Sequence, residues 1–158
     1  VSTISIFVGA IPGAIPFLLG YVAATDDFGL AAGTLFAIQF LWQFPHFISI
    51  AWVNDKDYKK AGFKMLYGNK KNRYPALISL ITSIFLLLVS LTPYFFIAEL
   101  NLSIYAFLLI LFLGFWFVFK SLQLYRYIND FSAKNLMLSS FIYLPLIQLI
   151  YVIDKYLY

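Results

Sequence analysis

Cysteine is absent from this sequence, and histidine occurs once. Disulfides and thiolate metal sites are therefore excluded, and so is a multi-histidine metal site within the chain. Charge is scarce too. Asp, Glu, Lys and Arg make up 11% of the 158 residues, against about 25% in a soluble domain. With 63% hydrophobic and 21% aromatic residues, too little polar surface is available to coat a water-soluble globule. A lipid bilayer is the solvent that suits such a composition. The net charge of +4 does not point to nucleic acid, because the basic residues are confined to segments between apolar runs. Neither an initiator Met nor a signal-peptide pattern is visible near Val1, so the chain is expected to be a fragment lacking its N-terminal part.

Five apolar stretches are long enough to cross a bilayer, which takes roughly 20 residues of helix. They run from Thr3 to Ala24, Leu30 to Trp52, Pro75 to Ala98, Ser103 to Phe119 and Leu136 to Ile153. Each is too long for an ordinary strand, so the expected fold is an all-α integral membrane bundle of five transmembrane helices. The charges alternate along it. Lys56, Lys59, Lys60, Lys64, Lys70, Lys71 and Arg73 fall in the second connection, and Lys120, Arg126 and Lys134 in the fourth. The first connection holds only Asp26 and Asp27, and the third Glu99 and Asn101. Basic connections stay in the cytoplasm. Residues 53–74 and 120–135 are therefore expected on the cytoplasmic side, with Val1 inside and Tyr158 outside.

Several residues in this apolar setting ask for a reason. Gly9 and Gly13 form a small-xxx-small pair suited to close helix packing. Pro12 and Pro16 each remove a backbone donor and bend the first span, either for packing or to open a cavity. Gln39, Gln43 and His46 stand at i, i+4 and i+7, on one face of the second span. Three aligned polar groups should face protein or a water-filled cavity rather than lipid, and Pro45 frees the Leu41 carbonyl on that span. His46 is either a hydrogen-bonded interior histidine or a ligand contact or proton-transfer group. Beyond this span, Asp55 and Asp57 sit among Lys56, Lys59, Lys60 and Lys64. Carboxylates beside lysines at a membrane surface suit a diphosphate head group held with Mg²⁺, while an apolar tail lies among the helices. The plainer alternative is a positive-inside loop with incidental acids.

Two segments carry a family resemblance. "VGAIPGAIPFLLGYVAAT" (8–25) resembles the pattern IGAIPGAxPPLIGWTA. "FLWQFPHFISIAWVNDKDYKKAGFKML" (40–66) resembles FLWQxPHFWALAxxxxxDYxxAGxPML. Both patterns belong to the family of protoheme IX farnesyltransferases, or haem O synthases, among the UbiA-type intramembrane prenyltransferases. The resemblance implies a bundle of nine transmembrane helices around a central cavity, of which this chain would be helices five to nine in a bacterial inner membrane. It implies transfer of the farnesyl group of farnesyl diphosphate to a vinyl group of haem B, giving haem O for respiratory oxidases, directly or through a downstream haem A synthase. Mg²⁺ is the implied cofactor. By the same resemblance Asp57 and Tyr58 match the family's DY pair, with Asp57 as the Mg²⁺-diphosphate carboxylate and Asp55 as a weaker metal ligand. Asp57, His46 and Tyr58 are thus the catalytic candidates. Gln43, Lys56, Lys59, Lys60 and Lys64 are the substrate-binding candidates, and Pro12, Gly13 and Pro16 are architectural.

The sequence departs from the patterns at Lys64 and Phe17, each in place of a Pro, and Asn54 and Tyr58 stand where other UbiA-type enzymes carry the acids of a DxxxD motif. A first aspartate-rich motif, NxxxDxxxD, is absent between Val1 and Tyr158 and is expected upstream, so these residues alone should be inactive. Two other readings compete. One is a UbiA-type prenyltransferase acting on a quinone or chlorophyll precursor. The other is a transporter half using the polar face of Gln39, Gln43 and His46.

Overall fold

The computed structural model describes residues 5–63, 65–66 and 70–157, with side chains in the first helix described from Val8 onward. The described residues form six α-helices: α1 (Ser5–Thr25), α2 (Leu30–Val53), the short α3 (Asp55–Lys60), α4 (Arg73–Phe96), α5 (Ile104–Tyr127) and α6 (Asp130–Leu157). A 3₁₀ turn, Ala98–Leu100, follows α4. Every helix except α3 is long and apolar enough to cross a membrane.

Helices α2, α4, α5 and α6 close a ring, each packed on the next and α6 back on α2, while α1 lies against α2 from outside. Alternation of direction puts the connections at two ends. At one end Lys71 Nζ is 2.6 Å from Asp130 Oδ1, joining the second connection to the fourth. At the other, Lys155 Nζ donates to the Glu99 carbonyl at 2.8 Å, and the buried Asp154 carboxylate accepts from the Ser103 backbone N–H at 2.8 Å and from its hydroxyl. Connections two and four thus share an end, as their lysines required.

Small residues let the ring close. Ser79, Ser83 and Ser90 are buried on α4 and Ser121 on α5. The Ser83 and Ser121 hydroxyls meet at 2.7 Å, and Tyr151 donates to the Ser90 carbonyl at 2.6 Å. Gly114 leaves the space on α5 into which Leu87 of α4 projects, so a Cβ there would strike that side chain. In lipid such close packing and interhelical hydrogen bonds replace the hydrophobic effect as the force between helices. On α1 the buried small residues are Ala10 and Ala14, whereas a Cβ at Gly9 would meet nothing. The packing pair is therefore shifted by one residue from the Gly9–Gly13 pair that the spacing indicated, with Gly13 serving a different contact.

The last two helices run past the apolar stretches expected at 103–119 and 136–153. Hydropathy marks only the part of a helix that sits in hydrocarbon. At 1.5 Å per residue α5 is about 36 Å long and α6 about 42 Å, against a core of about 30 Å. Their ends are set by caps instead. The Ser103 hydroxyl accepts from Ala106 N–H at 3.2 Å and the Asn129 side chain from Ser132 N–H at 2.8 Å. Ile128, at φ 50°, ends α5 in the left-handed region. A β-branched residue there is strained, and it turns the chain into α6 within two residues.

Candidate active site

The polar face of α2 lies between α1 and α6, and its members turn to different sides. Gln43, 3% exposed, donates from Nε2 to the Ala10 carbonyl of α1 at 3.1 Å and to Gln39 O at 3.4 Å. A Cβ on Gly13 would overlap the Gln43 amide oxygen, so glycine is what lets α1 approach it. His46, 8% exposed, turns the other way: its Nδ1 lies 2.8 Å from Ser140 Oγ on α6. Its ring stacks on Trp42 at 4.2 Å between centroids and meets the edge of Phe141 at 5.0 Å. Trp42 Nε1–H donates to the Ser140 carbonyl at 3.0 Å. The third member, Gln39, has a buried Oε1 with no hydrogen-bond partner among the described residues.

Toward the other end, Gln39 joins a largely apolar cavity of about 420 Å³ bounded by Phe17 and Tyr21 of α1, Ile38 of α2, and Leu144 and Ile147 of α6. Helices α1, α2 and α6 thus wall a mostly apolar groove that Gln39 enters, while Gln43 and His46 are taken up by contacts with α1 and α6. An apolar pocket with a few polar groups is the usual form of a ligand site.

Helix α3 carries the charged cluster. Asp55 is held by Lys59 at 2.7 Å, one turn along. Asp57 points elsewhere; its side chain is 79% exposed and its contact with Lys60 is a loose 3.7 Å. Tyr58 is half-buried against the core. It borders a shallow depression with Asn54, Asp57, Ala61 and Phe63. Lys56 is exposed on the same helix, and Lys64 lies outside the described residues. The helix ends in a Schellman motif, with Gly62 N–H donating to Lys59 O at 3.1 Å and Phe63 N–H to Tyr58 O at 2.8 Å. Gly62, at φ +78°, supplies the left-handed residue that this motif needs. Among the described residues no group of three acidic or histidine side chains could hold a metal ion. Asp57, with its oxygens open, fits as one carboxylate of a Mg²⁺-diphosphate site, and Mg²⁺ commonly takes only one or two from the protein.

The structure therefore gathers Asp57, Tyr58 and Lys60 at one surface and leaves His46 and Gln43 deeper. Asn54 lies eight positions beyond His46, roughly 12 Å along the helix. It also adds residues that the sequence did not single out. Asp130 Oδ1 accepts from Lys71 and, at 3.1 Å, from Trp52 Nε1. It thus fastens both ends of the α3 connection to α6. Because α6 overshoots the hydrocarbon, its first turn lies at the surface, where the Lys71 hydrogen bond holds the Asp130 carboxyl below the usual carboxylate range. Being the lone acid among Lys120, Arg126 and Lys134 was the available signal. For Ser140 there was none, since its role depends on how α6 is rotated against α2.

A profile of the UbiA prenyltransferase family matches residues 1–144. The chain is 47% identical over 158 residues to a protoheme IX farnesyltransferase of Flavobacterium psychrophilum, covering 99% of this chain and 53% of that protein. A protoheme IX farnesyltransferase of Flavobacterium johnsoniae is also 47% identical, with the same coverage. Protoheme IX farnesyltransferase 1 of Bacillus subtilis is 35% identical over 97% of this chain and 48% of its own length. The chain thus spans about half the length of the curated relatives it matches. No solved structure matches it. With five spanning helices and this likeness along nearly its whole length, the chain is part of a multi-pass membrane protein and belongs to the UbiA prenyltransferase family.

Proposed function

We propose that the full-length protein transfers the farnesyl group of farnesyl diphosphate to a vinyl group of haem B, giving haem O. The observation that carries this reading is Asp57, an open carboxylate among lysines at the membrane surface, just beyond the helix whose Gln39 lines the apolar α1–α2–α6 cavity. The named activity of the relatives supplies the substrates. The lysine excess of connections 53–74 and 120–135 favours the cytoplasmic face of a bacterial inner membrane for this surface.

Diphosphate leaves a primary allylic carbon, so negative charge grows on it as the bond breaks. Lys56, Lys59 and Lys60 stand where ammonium groups would meet that charge. Lys64, from its place in the sequence, would extend the same cluster. Asp57 would hold Mg²⁺, with Asp55 a weaker ligand because Lys59 occupies it. Mg²⁺, when bound, neutralises the leaving diphosphate. Further carboxylates come from the half of the relatives' length not represented here, so these 158 residues alone should be inactive.

Farther along α2, Trp42 stacks on His46, with Phe47 tilted against it and Phe141 edge-on. These rings would stabilise the allylic cation and help exclude water until the vinyl carbon attacks. That attack moves positive charge onto the carbon beside the macrocycle. For haem O, which carries a hydroxyl at that carbon, water adds there and gives up a proton, and His46 is the basic side chain on this face of α2. Gln43 would keep α1 seated so that the groove has two walls. Tyr58 closes the inner side of the surface that carries Asp57. Haem O then passes to respiratory oxidases or to a haem A synthase.

The test uses the full-length enzyme in detergent with farnesyl diphosphate, offering haem B and, separately, a phenolic acceptor. Haem O should form only with haem B and Mg²⁺. Asp57→Ala should abolish Mg²⁺-dependent diphosphate binding. A prenylated phenol as the sole product, or unchanged diphosphate binding in Asp57→Ala, would refute the proposal.

A further inference from the structure

We infer that Ser140 is a positioning residue that fixes His46 as its Nδ1–H tautomer and so leaves the Nε2 lone pair as the proton acceptor. The argument is one of counting protons. A serine hydroxyl has one proton to donate. Ser140 gives it to the Met137 carbonyl at 2.6 Å, within its own helix. The 2.8 Å contact between Ser140 Oγ and His46 Nδ1 then requires the imidazole to supply the proton, because two lone pairs cannot share a hydrogen bond. With Nδ1 protonated in the neutral ring, Nε2 is the basic nitrogen.

Nε2 itself has no hydrogen-bond partner among the described residues. His46 keeps a small exposure, 8%, among the described residues. The rest of the ring is engaged: Trp42 covers one face, and Phe141 and Phe47 lie against it at 5.0 and 5.3 Å. Trp42 is in turn held by the Ser140 backbone carbonyl. A single residue of α6 thus sets the tautomer through its side chain and the stacking partner through its main chain.

That division makes the proposal testable without unfolding the site. Ser140→Ala removes the hydroxyl but keeps the carbonyl that anchors Trp42, and Ser140→Thr restores a hydroxyl. His46 is the chain's single histidine, so ¹⁵N-histidine labelling of this chain in bicelles reads one ring. The expected spectrum has a pyrrole-type Nδ1 and a pyridine-type Nε2. Ser140→Ala should shift the tautomer ratio about fivefold, the bias that one net hydrogen bond supplies, and Ser140→Thr should reverse the shift. In the full-length enzyme, Ser140→Ala should lower kcat for prenyl transfer in proportion to the fall in the Nδ1–H fraction, at most about fivefold, leave KM for the prenyl diphosphate unchanged, and recover with Thr. A pyrrole-type Nε2 in the unmodified protein, or an unchanged ratio in Ser140→Ala, would overturn the assignment. Unchanged kcat alongside a shifted ratio would overturn the role in proton transfer. That role rests on the proposed prenyl transfer. Failure of the unmodified full-length enzyme to prenylate haem B would remove the reaction, while the ¹⁵N spectrum would still decide the tautomer.

Discussion

Gln43 is where the groove can be taken apart most directly. Its amide donates to Ala10 O across the α1–α2 contact, and its oxygen sits where a Gly13 side chain would go. Gln43→Ala removes that bond. An interhelical hydrogen bond in lipid is worth about 0.6 kcal/mol on average and up to about 1.7 kcal/mol. Ala10 O keeps its helical partner, so no orphaned carbonyl adds to the cost. Lost packing of the amide contributes a similar amount, and the expected total is about 1–2 kcal/mol, roughly a tenfold change in helix association. Gly13→Ala should cost a comparable amount, because its Cβ displaces the same amide. The two changes act on one contact, so the double variant should fall short of additivity by about 1 kcal/mol. The assay is reversible unfolding in mixed micelles for the four proteins of the cycle, with substrate affinity measured alongside. Strict additivity, or a Gln43→Ala protein that keeps full stability while losing substrate affinity, would refute the claim that Gln43 works by holding α1.

Three further outcomes follow from other contacts. Gly62→Ala should cost about 1 kcal/mol locally through its positive φ and expose the α3 connection to faster limited proteolysis, with Gly62→Asn milder. Asp154→Asn should lower the unfolding midpoint by the equivalent of about 2 kcal/mol, since a buried carboxylate accepting two bonds at the start of α5 loses its charge. The Asp130 carboxyl is depressed in the folded chain, so its contribution is complete above the ordinary carboxylate range and is lost as pH falls through the lower folded value. The Trp52 indole N–H resonance should hold constant from about pH 8 to pH 5 and shift only below about pH 4, and Asp130→Asn should remove that transition.

Much of this was legible in the residues. The five crossings, and the sharing of one end by the second and fourth connections, came from apolar length and the placement of lysines. The Asp57–Tyr58–Lys60 surface was legible because its members are neighbours along the chain. The helix ends were not, because hydropathy stops where lipid stops while Ser103, Ile128 and Asn129 decide where the coil turns. Helix α3, a single capped helix inside an expected loop, was missed because charge rather than apolar periodicity dominates its six residues.

The sequence alone determined the solvent, the number of passes and the charged rim, because each residue meets water or lipid on its own terms. The tertiary structure decided which way each polar group on α2 faces. The 3.6-residue period set Gln39, Gln43 and His46 on one side of a helix. Rotation and register against α1 and α6 then sent Gln43 to Ala10 and His46 to Ser140, 94 residues away in sequence. Such pairings depend on two helices at once, so no single stretch of the chain contains them.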